Sequence, residues 1–256
     1  MSTREKAIER YDESRDVAAI AATLEPPVLV GLDVDGVLAP IVAHADDAQL
    51  LPGMLETVAE LAARTPVAIV SGRTVADLAR FNFPDHVEMF GLHGLERRDE
   101  RTVDLVDHEQ ARLDRLAALA ADAALLAGDG AWVEWKPAGV VLHVREAHPE
   151  AAAKSADELM RKAEDITGVH VLPGHGVIEL LARSTSKALA VAELQREVGG
   201  RHVVFVGDDR TDEEVFKAIG DDGCSIRVGG GPTAARYRLA GPPEVLDFLH
   251  ALTASL

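Results

Sequence analysis

A doubly wound α/β core carrying an inserted α+β module is the fold class the sequence predicts, and three observations predict it. Three short apolar runs share one form: "VLVGLDVDG" from Val28, "PVAIVSGRT" from Pro66 and "HVVFVGDDRTDEE" from His202 all end in polar residues. Continuous β-branched runs of this length read as strands buried on both faces, as in a parallel sheet. A helical pattern follows each run, and a segment of another character separates the second from the third.

The first run is followed by a helical pattern at 52–63. The second ends in Ser-Gly-Arg ahead of a pattern at 75–80, and the third ends in a cluster of acids ahead of one at 211–219. Strand–helix alternation builds a doubly wound sheet, and such sheets bind ligands outside the carboxyl ends of their strands. The polar residues of all three runs are expected to converge there. A further helical pattern at 4–22 offers a face to the core or to another chain. In the middle, 106–128 reads as a long amphipathic helix. After it come "AWVEWKPAG", "VVLHVRE", a helix at 149–167, "GVHVLPG" and "HGVIELLA". Strands paired through short Pro/Gly turns suggest antiparallel hairpins. The expected division is therefore a core of 1–106 with 183–256 and a module of 107–182. The glycine-rich "VGGGP" at 228–232 reads as a plain loop, because no Lys-Ser follows it.

Composition narrows the function classes. Against 26 lysines and arginines stand 43 acids, a net charge of −17, which argues against nucleic acid and anionic membranes as partners. An anionic substrate would need a local cationic site. The single Cys224 excludes an intramolecular disulfide, fits a reducing compartment and reads as a small core residue. "MSTREKAIERYDESRD" lacks the apolar stretch of a signal peptide, and no apolar run reaches the length of a membrane span. A cytoplasmic location is expected.

The chemistry lies at the strand ends. Asp33 and Asp35 stand two apart, a spacing that shares one face of a strand. A buried charge is costly unless it is paired or bound to a cation. Asp208, Asp209 and Asp212 crowd the same edge and would repel one another without a cation. Oxygen donors without a Cys or His pattern point to Mg²⁺. Ser71, Arg73 and Lys187 suit phosphate oxygens, and Lys187 opens a helical pattern, where backbone N–H groups favour an anion. Together they read as a phosphoryl-transfer site in which one carboxylate attacks phosphorus and a second moves protons. Taken singly, each piece has a bland reading: solvated turn acids, a helix start favoured by its dipole, one surface lysine among many. Their order and placement favour chemistry.

"DVDGVL", the serine of "SGR", the lysine of "STSK" and "GDDRTDEE", in that order, resemble the four motifs of the haloacid-dehalogenase-like phosphohydrolases. The resemblance implies a Rossmann-like doubly wound parallel-sheet core with an inserted α+β cap domain. It implies that Asp33 is the nucleophile and forms an aspartyl-phosphate. Asp35 would be general acid to the leaving alcohol and then general base for water, while Ser71 and Lys187 hold the phosphoryl group. Mg²⁺ would be bound by Asp33, Asp208 and the Asp35 backbone carbonyl. Asp209 and Asp212 would support the site, Asp209 being the nearer rival for the metal. The sequence departs from the usual pattern at Val37, where threonine is common, and at Ala188, where glycine is.

A finer resemblance, to the trehalose-6-phosphate phosphatase family, extends over "VAIVSGR", "GLHGLERR", "VEWKPAGVVLHVR" and "GVIELLARSTSKALAV". It implies a mobile cap whose Glu134, Lys136 and Glu179 hydrogen-bond sugar hydroxyls, with Arg73, His93 and Arg145 as further substrate contacts. Without it, Glu134 and Lys136 read as a cross-strand pair, His93 and His143 as structural histidines, and Trp132 and Trp135 as packing residues on opposite faces, sugar stacking being the rarer alternative. The implied partners are a small sugar phosphate and no macromolecule beyond weak association with a trehalose-6-phosphate synthase; a monomer is expected. The rivals are another sugar-phosphate phosphatase, of the sucrose- or glucosylglycerol-phosphate type, and a catalytically silent sugar-phosphate sensor.

Overall fold

The computed structural model describes residues 17–24, 26–42, 44–98, 103–174 and 176–256. Of the helical pattern expected at 4–22, the stretch Val17–Ala21 forms α1 and residues 4–16 lie outside the described residues. The chain divides into two compact units, Met1–Arg101 with Ser186–Leu256, and Thr102–Thr185. No helix among the described residues is long and apolar enough to cross a membrane.

In the first unit β1 (Val28–Leu32), β2 (Val67–Val70), β3 (Glu88–Gly91) and β4 (Glu96–Arg97) alternate with α2 (Met54–Ala62) and α3 (Val75–Ala79). The second unit holds α4 (Asp107–Ala127), β5 (Trp132–Lys136), β6 (Gly139–His143), α5 (Pro149–Glu164), β7 (His170–Gly174) and β8 (Val177–Leu181). The chain then completes the first unit with α6 (Lys187–Glu197), β9 (His202–Gly207), α7 (Asp212–Ile219), β10 (Cys224–Val228), β11 (Tyr237–Leu239) and α8 (Pro242–Ser255).

The first unit's sheet runs β11-β10-β9-β1-β2-β3-β4, parallel except for β4 against β3. The three apolar runs are thus its central strands, β1 between β9 and β2. Every residue of β1 and of β2 is buried, as continuous apolar strands require when helices cover both faces. Val28, Val30 and Leu32 pack with α1, α2 and α8. Leu29 faces the other way, with α6 and α7, and Gly31 abuts the Phe205 ring on that side. Alternation carries this second face on to Asp33, so the side chain that follows β1 emerges beneath the two helices that begin at Lys187 and Asp212.

In the second unit the strands form an antiparallel sheet in the order β5-β6-β8-β7. Val140, Leu142, Ile178 and Leu180 pack against α4 and α5 on one face. Gly128, at φ 80°, ends α4, a backbone state glycine adopts without steric cost. A two-pronged ion pair joins the unit's two chain ends: Arg183 Nε donates to Glu109 Oε1 at 2.7 Å and Nη2 to Oε2 at 2.5 Å, while Val106 N–H donates to the same carboxylate at 3.1 Å.

Arg183, aided by Val106 N–H against the opposing effect of burial, holds the Glu109 carboxyl down at about 2 from an ordinary 4.5. A depressed acid stabilises the folded state above its unfolded pKa and loses that contribution as pH falls toward the folded one. Wild type is therefore expected to hold a stability advantage over Glu109→Gln at pH 6 that shrinks between about 4.5 and 2. Urea denaturation at stepped pH checks this; a gap that stays constant across that range would show that the pair contributes no charge-dependent stability.

Candidate active site

Asp33 leaves β1 between two parallel neighbours, its N–H donating to Val206 O at 3.1 Å. Its Oδ1 accepts from Val34 N–H at 2.7 Å and its Oδ2 from Lys187 Nζ at 2.5 Å. The same ammonium donates to Asp212 Oδ1 at 2.8 Å. Asp212 opens α7, and its Oδ2 accepts from Asp208 N–H at 2.9 Å and Asp209 N–H at 3.0 Å. Lys187 is 1% exposed and Asp212 fully buried. Ser186 caps α6 just ahead of the lysine, its side chain accepting from Leu189 N–H, which fixes where the ammonium stem starts.

Asp33, Asp208 and Asp212 each offer a carboxylate oxygen within 4.8 Å of the other two. The single Lys187 ammonium offsets only part of that charge. Burial pushes the carboxyls up, Asp33 to about 7 with the nearby Asp209 and Asp208 adding to the rise, and Asp212 to about 8, against the pull of Lys187. Asp208 is likewise raised to about 7, by burial and then by Asp209 and Asp212. Burial alone would lower Lys187, but Asp212 and Asp33 hold it well above its usual value. None of the described residues donates a hydrogen bond to the Asp208 carboxylate, and a partly buried acid in that state has room for a cation. The donor set is all oxygen, which suits a hard divalent ion. Gly36, at φ +73°, lies so close to Asp208 that an added Cβ would stand 2.2 Å from its Oδ2. Only a residue without a side chain lets the turn after β1 approach that acid.

Asp209 serves differently from Asp212. Its Oδ1 accepts from Thr211 N–H and Oγ1, each at 2.7 Å, and from Asp212 N–H at 3.3 Å. The groups packed around Asp209 oppose its charge by desolvation although the residue reaches solvent, yet Lys187 and the Thr211 bonds hold it at about 2. The acid whose carboxylate oxygen groups with those of Asp33 and Asp208 is Asp212, while Asp209 acts on both through its charge. The reason is geometric. Side chains in the first turn of a helix lean back toward its N-terminus, which carries Asp212 under residues 208 and 209.

Asp33 and Asp35 do not share a partner, because β1 ends at Leu32 and the chain bends at Val34, so alternation reaches Asp33 but not Asp35. Asp35 is gripped by Arg73, Nε to Oδ2 at 2.7 Å and Nη2 to Oδ1 at 2.8 Å, with Arg73 Nη1 donating to Ala45 O at 3.0 Å. Arg73, which the resemblance implies at the substrate, is paired here with Asp35. Ser71 follows β2, is buried, and accepts from Arg73 N–H at 3.3 Å. Its carbonyl accepts from His93 N–H at 2.9 Å. His93 is left-handed at φ 57° and lies against Gly72, where a Cβ would meet its ring at 2.7 Å.

Within the second unit, register aligns Glu134, Val141, Glu179 and Leu172 across the four strands, all on the face opposite α4 and α5. Lys136 shares that face by the i+2 rule and donates to Glu179 Oε1 at 2.8 Å. Glu134 pairs with His143 Nε2 at 2.8 Å. Arg145, just past β6, is exposed. Trp132 and Trp135 do lie on opposite faces, but they are 45% and 67% exposed, so neither is a core packing residue. The cause is that β5 is an edge strand, which sequence periodicity does not reveal.

The trehalose-phosphatase family model matches residues 31–243, a span containing every residue named in this site. The chain is 33% identical over 233 residues to the trehalose-6-phosphate phosphatase of Escherichia coli K12, covering 88% of this chain and 86% of that protein. It is 34% identical over 242 residues to the trehalose-phosphate phosphatase of Mycobacterium tuberculosis H37Rv, covering 89% of this chain and 61% of that longer protein. Its fold is similar to that of the C. albicans trehalose-6-phosphate phosphatase C-terminal domain, with a TM-score of 0.79 at 21% identity over 93% of this chain and 95% of that one. Strand-end acids, the buried lysine and the inserted sheet thus occur in a chain that belongs to the trehalose-phosphatase family.

Proposed function

We propose that this protein hydrolyses trehalose 6-phosphate to trehalose and phosphate through an aspartyl-phosphate, with Mg²⁺ as cofactor. The observation that carries the reading is the Asp33–Lys187–Asp212 chain of buried ion pairs with Asp208 beside it. Asp33 is the nucleophile: an oxygen of its carboxylate bonds to phosphorus as the bond to the sugar oxygen breaks. Asp35, positioned beside the site by Arg73, is the acid–base group: once an oxygen is released from the two-pronged Arg73 pair and protonated, it gives that proton to the departing oxygen. It then takes a proton from the water that attacks the acyl phosphate and returns Asp33 to its starting state. Lys187 spends two of its three N–H donors on Asp33 and Asp212 among the described residues, leaving one for a phosphoryl oxygen; the Ser71 hydroxyl supplies another. Mg²⁺, with Asp33, Asp208 and the Asp35 carbonyl as its protein ligands, would supply the positive charge that offsets the phosphoryl oxygens.

The inserted unit acts as the cap that selects the sugar. Glu134, Lys136 and Glu179 offer fixed acceptors and an ammonium donor to a neutral, hydroxyl-rich disaccharide, with Arg145 and His93 as further contacts. A site built on such bonds rejects sugars that leave them unpaired. Phosphate release is to be measured across trehalose 6-phosphate, sucrose and glucosylglycerol phosphates and a small aryl phosphate, with and without Mg²⁺. Trehalose 6-phosphate is expected to have the highest kcat/KM, and chelation to abolish turnover. A comparable or higher kcat/KM on another sugar phosphate would overturn the substrate assignment. In the same panel Glu179→Ala is expected to lose about 100-fold on trehalose 6-phosphate, the scale of a deleted charged hydrogen bond, and less than about 3-fold on the aryl phosphate. Equal losses on both would remove the sugar-binding role.

A further inference from the structure

The face of the second unit that carries Glu134, Lys136 and Glu179 also carries an aromatic residue with no role so far. Trp132 stands opposite His143 in the β5–β6 ladder, and the two rings stack with centroids 3.8 Å apart and planes 1° from parallel. His143 is in turn tied to Glu134 at 2.8 Å. Trp132 is nevertheless 45% exposed. An indole left in water at an edge strand carries an unfavourable apolar surface of a kind folded proteins normally bury. Here its orientation is fixed, by a histidine whose own orientation a carboxylate fixes.

From this geometry we propose that Trp132 is a specificity-determining residue, a platform on which one pyranose ring of the disaccharide phosphate stacks. The inference rests on the sugar-phosphate reading above and adds a contact to it. A pyranose presents hydroxyls around its rim and C–H groups on its faces. The hydroxyls need polar partners of the kind Glu134, Lys136 and Glu179 provide. The C–H face needs an apolar plane beside them, and Trp132 is two residues from Glu134 on the same side of the same strand. A rigid aromatic with two side-chain torsions, already stacked, loses little entropy on binding. His143 is the positioning residue that couples the platform to Glu134. Trp135 lies on the opposite face and takes no part.

The chain contains two tryptophans, so Trp135→Phe leaves Trp132 as the sole indole emitter. Titration of that variant with trehalose is expected to shift and quench its emission saturably, while the Trp132→Phe chain, with Trp135 alone, is expected not to respond. In kinetics Trp132→Ala is expected to raise KM for trehalose 6-phosphate about tenfold with kcat changed less than about twofold, the pattern of a lost contact made equally in ground and transition states. Glycerol 2-phosphate, which has no ring, is expected to be hydrolysed by this variant as by wild type, and Trp132→Tyr is expected to recover most of the KM. Unchanged KM in Trp132→Ala together with a silent Trp132 emission overturns the proposal, given a wild type that prefers trehalose 6-phosphate. A wild type without that preference overturns the substrate reading itself, and the platform with it.

Discussion

Asp33→Asn is expected to lower kcat on every phosphate ester by at least ~10⁴, the scale of deleting a nucleophile from a covalent mechanism. An amide oxygen does not attack phosphorus, and no other described carboxylate stands where Lys187 holds Asp33. Folding should survive. Lys187 keeps its bond to Asp212, and the substitution removes a buried carboxyl already raised to about 7 by burial and by Asp209 and Asp208. Stability is expected to stay level or rise, the usual relation at a site strained for chemistry. Rapid-quench experiments with hydroxylamine should trap an acyl phosphate in wild type and none in the variant, while calorimetry shows trehalose 6-phosphate still bound. Phosphate release from Asp33→Asn at the wild-type rate would remove Asp33 from the mechanism.

That the first-unit site can be described residue by residue owes much to the local character of its signals. β1, β2 and β9 are visible because a parallel strand covered on both faces must be apolar throughout, and the polar residue after each is placed by the strand itself. What followed from longer-range packing was hidden. β10 mixes Ser225 and Arg227 with apolar residues and β11 has three residues, too short and too mixed to announce themselves. The helix that begins within "GDDRTDEE" is legible to within a residue, but not that the Asp212 side chain at its start reaches back to the Asp208 and Asp209 N–H groups. The i, i+2 spacing put Glu134 and Lys136 on one face, but their partners His143 and Glu179 depend on the order β5-β6-β8, set by pairing across 43 residues. The exposure of Trp132 depends on the same strand order, and no local periodicity encodes it.

Lys187→Met should separate the two roles of the buried lysine more sharply than any other substitution. Methionine fills much the same volume without charge, so the variant tests the ammonium and not the packing. Two consequences follow from removing one partner of a buried ion pair. Asp33 and Asp212 are left facing each other in a desolvated pocket, which costs about 3–5 kcal/mol, to be read as a lowered urea midpoint in chelator. With no ammonium to donate to the phosphoryl oxygens or to hold Asp33, kcat is expected to fall ~10³-fold or more. Affinity for magnesium ion should move the other way. The cation site then loses a neighbouring positive charge while keeping Asp33 and Asp208, which offer carboxylate oxygens within 4.8 Å of each other, and Coulomb attraction at an effective dielectric of about 20 makes even one charge a few ångströms away worth tenfold or more in affinity. Magnesium should therefore raise the urea midpoint of Lys187→Met more than that of wild type, in an enzyme that no longer turns over. An equal or smaller shift in the variant would mean that these carboxylates do not form the cation site, whatever the activity.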